Sequence, residues 1–400
     1  MTSIFSDIPL APRDPILGVS EAFNADTRPG KVNLGVGVYY DDNGKVPLLE
    51  SVRRAEAQLQ VAAAPRSYLP IDGVPGYVRA VQALVFGADA AVLREGRVVT
   101  VQSLGGTGAL KIAADFLRRF DPAAGVWISD PSWENHRALF EGAGFTVETY
   151  PYYDPLTRGL DFAAMAGKLR ALRAGSIVVL HVCCHNPTGA DPSVDQWGQI
   201  IEIVRAGGLV PILDLAYQGF ATGLDADADP VRRFVGAGVP VLVANSFSKN
   251  FSLYGERVGA LSLVTANADE SARALSQLKR VIRANYSNPP THGARVVETV
   301  LTTPELRALW EQELAAMRER IKAMRQALVK EVQAAGQNVD FGFVLRQNGM
   351  FSFSGLSKED VARLRDDHGI HAVDSGRICV AALNSGNVAR VGKAVAALLR

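Results

Sequence analysis

The chain is poor in cysteine. It has three in 400 residues, Cys183, Cys184 and Cys379, and two of these are neighbours on a strand-like run whose side chains alternate faces. That excludes a disulfide framework and suits a reducing compartment. No apolar run reaches about 18 residues, so no membrane-spanning helix is expected. The opening MTSIFSDIPLAPRDP has no basic stretch followed by an apolar core, so no secretion signal is read and a cytoplasmic location is expected. An excess of one charge is also missing: 42 Lys and Arg against 41 Asp and Glu leave a net +1, which gives neither nucleic acid nor a membrane surface a reason to bind. Internal repeats, low-complexity tracts and long linkers are absent too.

What is present is a large apolar content, 48% of the residues, enough for a sizeable core and more than one domain. Strand-like runs at 98–102, 125–130, 176–184, 209–215, 239–246 and 258–264 alternate with helical stretches. This is the pattern of an α/β fold with a mostly parallel sheet covered on both faces. From Pro304 the pattern changes: Leu306, Trp310, Leu314, Met317, Ile321, Met324, Leu328 and Val332 recur at steps of three or four, which predicts a long amphipathic helix. Its Met and Trp residues are packing residues, not a cofactor box. Beyond it, MFSFSGL (350–356) and ICVAAL (378–383) read as short strands before a final helix.

Chemistry concentrates at the ends of the central strands. NSFSKNFSLYGERVG (245–259) places Lys249 just after a strand, with Ser246 and Ser248 before it and Arg257 beyond. A partly desolvated lysine can hold a carbonyl as a Schiff base, and Arg257 adds a permanent cation for a phosphate. One lysine alone could equally sit in a surface loop. SLGGTGALKIAADFLRRF (103–120) runs a glycine turn into a helix, where Gly106 and Thr107 can meet a phosphate. A tight turn or a dinucleotide site is the competing reading, but the glycines do not fit G-x-G-x-x-G. In SIVVLHVCCHNPTGAD (176–191) the strand stops at Asn186-Pro187-Thr188-Gly189, by default a turn, yet placed where open α/β sheets bind ligands. In LVPILDLAYQGFA (209–221) Asp214 interrupts an apolar strand and Tyr217 follows. A buried carboxylate needs a cation, and a protonated pyridine nitrogen would be one; a helix or turn cap is the alternative.

The order GGTGAL, DPSWENH, HNPTG, DLAYQGF, SFSKNF, GERVG, IRANYSNPP, QNGMFSFSGL and SGR resembles the class I aspartate and aromatic amino-acid aminotransferases, from DPILGVSEAF (14–23) to the carboxyl terminus. These are pyridoxal 5′-phosphate enzymes of fold type I, and the bacterial aromatic (tyrosine) aminotransferases are the nearest in character. The resemblance implies an arm over 1–13, a large cofactor-binding domain over 48–312 and a smaller α+β domain built from 14–47 and 313–400. It casts Lys249 as the Schiff-base lysine and proton shuttle. Asp214 becomes the partner of the pyridine nitrogen, supported by His136, while Tyr217 and Asn186 meet the ring oxygen and Trp133 stacks on the ring. Gly106, Thr107, Ser246 and Arg257 hold the phosphate, with Tyr68 reaching in from a second subunit of a homodimer that shares its active sites. Arg377, with Asn186, Trp133 and Gly37, receives the α-carboxylate, and Arg283 crosses from the other subunit to a second carboxylate. No metal is implied.

The activity implied is ping-pong transamination between aromatic or acidic amino acids and 2-oxo acids such as 2-oxoglutarate. Tyr40, Val46, Ser67 and Leu69-Pro70 lean towards the aromatic enzymes, whereas Val38, Thr107 and Asn288 lean towards the aspartate enzymes. A dual range is expected, with a narrower aspartate or prephenate aminotransferase as the alternative. A ligand-sensing relative would carry a nucleic-acid-binding module ahead of residue 14, and it lacks support. Asp374, three residues before Arg377, would compete for that arginine if it faced the pocket.

Overall fold

The computed structural model describes residues 3–11, 16–65, 67–336 and 340–399. Part of the expected arm and the start of DPILGVSEAF therefore lie outside the described residues. The middle of the chain forms a seven-stranded sheet. Its strands are β1 (Val98–Leu104), β2 (Gly125–Asp130), β3 (Thr146–Pro151), β4 (Ile177–His181), β5 (Val210–Leu215), β6 (Val241–Ser246) and β7 (Val258–Val264). They lie in the order β1-β7-β6-β5-β4-β2-β3. Neighbours are parallel except at β7, which runs antiparallel to both β1 and β6.

That one reversal positions the site. Because β1 and β6 both oppose β7, they share a direction. The carboxyl ends of all the other strands and the amino end of β7 therefore fall along one edge. Residues directly after those strands, and directly before β7, meet there. Strands β4, β6 and β7 are buried throughout, and so is β5 apart from its first residue, as expected for a sheet covered on both faces. The helix α1 (Gly105–Phe120) packs on β1, β6 and β7, α2 (Glu134–Glu141) on β2 and β3, and α3 (Ala268–Asn285) on β1 and α1.

The sequence runs agree with the observed strands to within two residues except that 176–184 ends early, at His181. The strand β3 was not anticipated. It is an edge strand with only Val147 and Tyr150 buried, so its signal is a weak alternation and not an apolar run.

The long helix is present as α4 (Pro304–Ala335), with proline in its first turn, where a missing N–H costs nothing. It packs on α5 (Val388–Leu398). The periodic residues are buried, except that Met324 is only partly so. MFSFSGL contributes the strand Phe351–Phe353, antiparallel to Arg377–Cys379. ICVAAL is a strand only as far as Cys379, because the amides of Val380 and Ala381 both turn to the Met350 carbonyl, at 2.8 and 3.3 Å, and wind into a 3₁₀ turn. Near the start of the chain, Val32–Asn33 pairs in parallel with Ile370–His371. Asp26 binds Arg28 at 2.6 Å and His371 at 2.9 Å beside that pair.

Trp310 ties α4 to the turn after β6. It is fully buried, its Nε1 donates to the Asn250 carbonyl at 2.8 Å, and its ring stacks on Phe251 at 4.5 Å. Trp310→Ala is expected to destabilise the protein by about 3–5 kcal/mol in denaturant unfolding, from lost packing and an unpaired carbonyl beside Lys249. A cost below about 1 kcal/mol would mean that the turn is held elsewhere.

Candidate active site

A cavity of about 230 Å³ opens at that edge, lined among others by Gly37, Gly106, Thr107, Trp133, Asn186, Asp214, Tyr217, Ser246, Lys249, Arg257 and Arg377. One chain thus brings together most of the residues singled out in the sequence.

Gly105 and Gly106 open α1; the Gly105 amide donates to the Arg257 carbonyl at 2.9 Å, and the preceding residue gives no side-chain cap to the amides that follow. Gly105 has φ +67°, and a Cβ there would lie 2.5 Å from an Arg257 guanidinium nitrogen. Gly259 lets this turn approach β7: a Cβ on it would stand 2.5 Å from the Gly105 carbonyl carbon. Opposite Gly259 in the sheet is Ser246, whose Oγ donates to Ser248 Oγ at 3.1 Å. Arg257 reaches the same Ser248 hydroxyl at 3.2 Å. Bare amides, hydroxyls and a guanidinium on one rim form an anion cradle.

The second group surrounds a carboxylate. Asp214 stands on β5, buried, in register with His181 of β4 and Ala244 of β6. His136, in the first turn of α2, meets Asp214 Oδ2 through Nε2 at 2.9 Å and Ser132 through Nδ1 at 2.9 Å. Burial works to raise the Asp214 pKa, but the hydrogen bond from His136 and the nearby positive groups outweigh it and hold the carboxyl below its usual range. His181 is driven the other way by burial, down to about 3, and is neutral near pH 7. Neither of its ring nitrogens has a hydrogen-bond partner among the described residues. His136, His181 and Asp214 could offer one metal-ligand atom each within 4.8 Å, but the His136–Asp214 bond already uses the facing atoms.

Between these groups lies Lys249. It is half-buried, crowded by protein yet reachable from the cavity. Desolvation pushes its pKa down to about 8, against the pull of Asp214 and with the help of Arg257 and Arg377. Its Nζ sits 5.0 Å from the centre of the Tyr217 ring, and Tyr217 is buried with its hydroxyl pKa raised for the same reason. An amine near neutrality at moderate pH is a nucleophile and a proton carrier.

The third group is Arg377. It is buried, with Nη1 donating to Asn186 Oδ1 at 3.1 Å and Nη2 to the Gly35 carbonyl at 2.7 Å. Phe351 lies under it at 4.4 Å, against Gly37, where a Cβ would clash at 2.6 Å. The concern over Asp374 is removed: its side chain is 63% exposed and faces Lys358 at 3.7 Å. The acidic neighbour of Arg377 is instead Glu134, at 4.0 Å.

Three site residues singled out in the sequence do not line the cavity. His136 stands behind Asp214. Tyr68 is 92% exposed. Arg283 is exposed in the last turn of α3, bonded to the Ser287 hydroxyl. Among the positions read for specificity, Thr107 lines the cavity and the others do not, although Asn288 holds the Leu69 carbonyl at 3.1 Å.

Sequence reading missed several groups. Phe351, His181 and Tyr254 line the cavity, but within apolar or aromatic runs they look like core. Asp227 accepts the amides of Gly219, Ala221, Thr222 and Gly223, and so fixes the loop after Tyr217. Its place four residues beyond Gly223, in the first turn of a helix, was the available signal.

The chain matches the family model for aminotransferase class I and II over residues 29–395. It is 60% identical to an aspartate aminotransferase of Pseudomonas aeruginosa, covering 99% of this chain and 100% of that one. It is 52% identical to an aromatic-amino-acid aminotransferase of Escherichia coli, covering 96% of this chain and 98% of that one. The crystal structure of an aromatic-amino-acid aminotransferase from Burkholderia pseudomallei, covalently bound to pyridoxal phosphate, superposes with a TM-score of 0.98 at 60% identity over 100% of both chains. With its sheet order, its cavity and these relatives agreeing over nearly its whole length, the chain belongs to the class I and II aminotransferases.

Proposed function

We propose that the protein is a pyridoxal-phosphate-dependent transaminase that moves an amino group between aromatic or acidic amino acids (tyrosine, phenylalanine, aspartate, glutamate) and 2-oxo acids such as 2-oxoglutarate. The observation that carries this is a half-buried amine, Lys249, in one cavity with a buried carboxylate, Asp214, and a buried guanidinium, Arg377. The relatives include both aspartate and aromatic-amino-acid enzymes, which supports the dual range.

The cavity fits the cofactor. Glycine at 105 and 106 leaves open space that a Cβ would fill beside Arg257 and Ser246. Gly106, Thr107, Ser246 and Arg257 would hold the phosphate, Asp214 backed by His136 the ring nitrogen, Tyr217 and Asn186 the ring oxygen, and Trp133 one face of the ring. When bound, pyridoxal phosphate supplies an aldehyde that joins amines and a ring that draws electrons from the substrate Cα.

The chain's own residues do the rest. Lys249 would bind the aldehyde through its ε-amine and, as general base, would take the proton from the substrate Cα. Arg377 fixes the α-carboxylate by paired hydrogen bonds, with Asn186 and Gly37 beside it. Tyr217 and Trp133, lining the same cavity as Lys249, would keep the ring in place beside that amine.

Tyr68 and Arg283 support a homodimer with shared sites: both are exposed in the single chain, and each would reach the cavity of a second copy. The unit of 48–312 carries the sheet, while 14–47 and 313–400 form the smaller unit, joined by the Val32–Asn33 pairing with Ile370–His371. In the expected arm, Ile4, Phe5, Ile8 and Leu10 are exposed and suited to cover. Nothing in the net charge of +1 favours nucleic acid or membrane, and a cytoplasmic site of action is consistent with three unpaired, buried cysteines.

Initial rates with phenylalanine, tyrosine and aspartate as amino donors should all be measurable, and no activity with any aromatic donor would sink the dual range. In Arg283→Ala, kcat/KM should fall by about 10- to 100-fold with aspartate while changing little with phenylalanine, because only aspartate needs a partner for a second carboxylate. Equal losses would contradict that role. Covalent capture of pyridoxal phosphate by the cofactor-free protein should accelerate with rising pH and level off above about 8, as Lys249 loses its proton. A rate indifferent to pH through that region would argue against Lys249 as the nucleophile.

A further inference from the structure

Arg377 carries a positive charge in an almost fully buried place, with 1% of its surface exposed. Its bonded partners are neutral: the Asn186 amide oxygen, the Gly35 carbonyl and the Phe351 ring. Its Nε has no hydrogen-bond partner among the described residues. A guanidinium in that setting attracts any anion that can reach it, because burial has removed water without supplying a counter-charge.

Among the described residues, one carboxylate pairs with it. Glu134 Oε2 lies 4.0 Å from Arg377 Nη1, and 35% of the Glu134 side chain is exposed. Glu134 opens α2 directly after Trp133, which lines the cavity. An acid in the first turn of a helix is favoured by the helix dipole whatever its neighbours. The dipole accounts for the residue type but not for a carboxylate aimed at Arg377. A separation of 4.0 Å exceeds the roughly 2.7–2.9 Å of a charge-assisted hydrogen bond. Glu134 is therefore near enough to offset the charge and too far to occupy the donors.

We propose that Glu134 is the resident counter-ion of Arg377, and that a substrate carboxylate must share the arginine with it or push it aside. This rests on the reading of Arg377 as the α-carboxylate site. Because every amino acid and oxo acid presents that same carboxylate, Glu134 sets a common affinity scale and leaves the choice between acidic and aromatic side chains to other residues. It is a positioning residue, acting through Arg377, and it weakens ground-state binding by neutralising in advance the charge that a substrate would meet.

The test uses the holoenzyme and two carboxylates that cannot react, succinate and 3-phenylpropionate, titrated calorimetrically into the unmodified protein and into Glu134→Gln, which keeps the size and polarity of the side chain. Both dissociation constants are expected to fall by about 2- to 5-fold and by the same factor. Glu134→Ala should shift them in the same direction, which separates loss of charge from any new contact made by glutamine. Unchanged or weaker binding, or a shift confined to succinate, would overturn the role of Glu134. If the unmodified holoenzyme bound neither probe, the reading of the Arg377 site would fall, and this proposal with it.

Discussion

The electrostatic contest between Lys249 and Asp214 governs the site. An amine and a carboxylate share one poorly hydrated cavity, and each would be costly there alone. Burial pushes the lysine towards neutrality, while the carboxylate and its own supports pull the other way, and the balance falls at about 8. That balance requires Asp214 to stay ionised, which depends on the hydrogen bond from His136 at 2.9 Å and on Ser132 orienting the imidazole. The sheet supplies the distances. The register that sets Asp214 beside His181 and Ala244, and ends β6 at Ser246, fixes where Lys249 can stand.

A second constraint joins the distant ends of the chain at the same cavity. Arg377 comes from the carboxyl-terminal part, Gly35 from near the start and Asn186 from the turn after β4, and the guanidinium bonds to both. The loop that places Phe351 beneath it is held from behind by Arg325 on α4. Arg325 is buried and donates to the carbonyls of Val344, Gly349 and Phe351 and to Ser352 Oγ, at 2.5 to 3.3 Å. Burial lowers its pKa to about 10, yet it needs no carboxylate, because backbone oxygens satisfy the fork. The same loop is fastened to the turn after β4 through Asn348, whose amide bonds to the Gly189 carbonyl at 2.7 Å and whose side chain bonds to Asp191 at 3.1 Å.

Most of the sheet was legible in the sequence because buried parallel strands are apolar runs. β3 was not, since an edge strand with two buried side chains has no such run. The cofactor candidates were legible because their polar residues interrupt those runs at strand ends. Lys249, Asp214, Asn186 and Arg257 therefore stood out, and the fold gathers them. Arg325 and Asp191 did not stand out, because each satisfies backbone groups that only the folded chain brings to it, whereas Asp227 carried only the local signal of an acid in a helix's first turn. Asp374 and Glu134 show the same limit from the other side. Sequence distance from Arg377 made Asp374 the suspect, whereas the fold turns it outward and brings Glu134, 243 positions away, into range.

The central claim is that the ε-amine at position 249 is the point at which this chain holds its coenzyme. Borohydride reduction of the holoenzyme, followed by proteolysis and mass mapping, measures that directly. The account predicts a single pyridoxyl label on the peptide that contains Lys249. A label on another lysine, or a coenzyme that washes away after reduction, would contradict it.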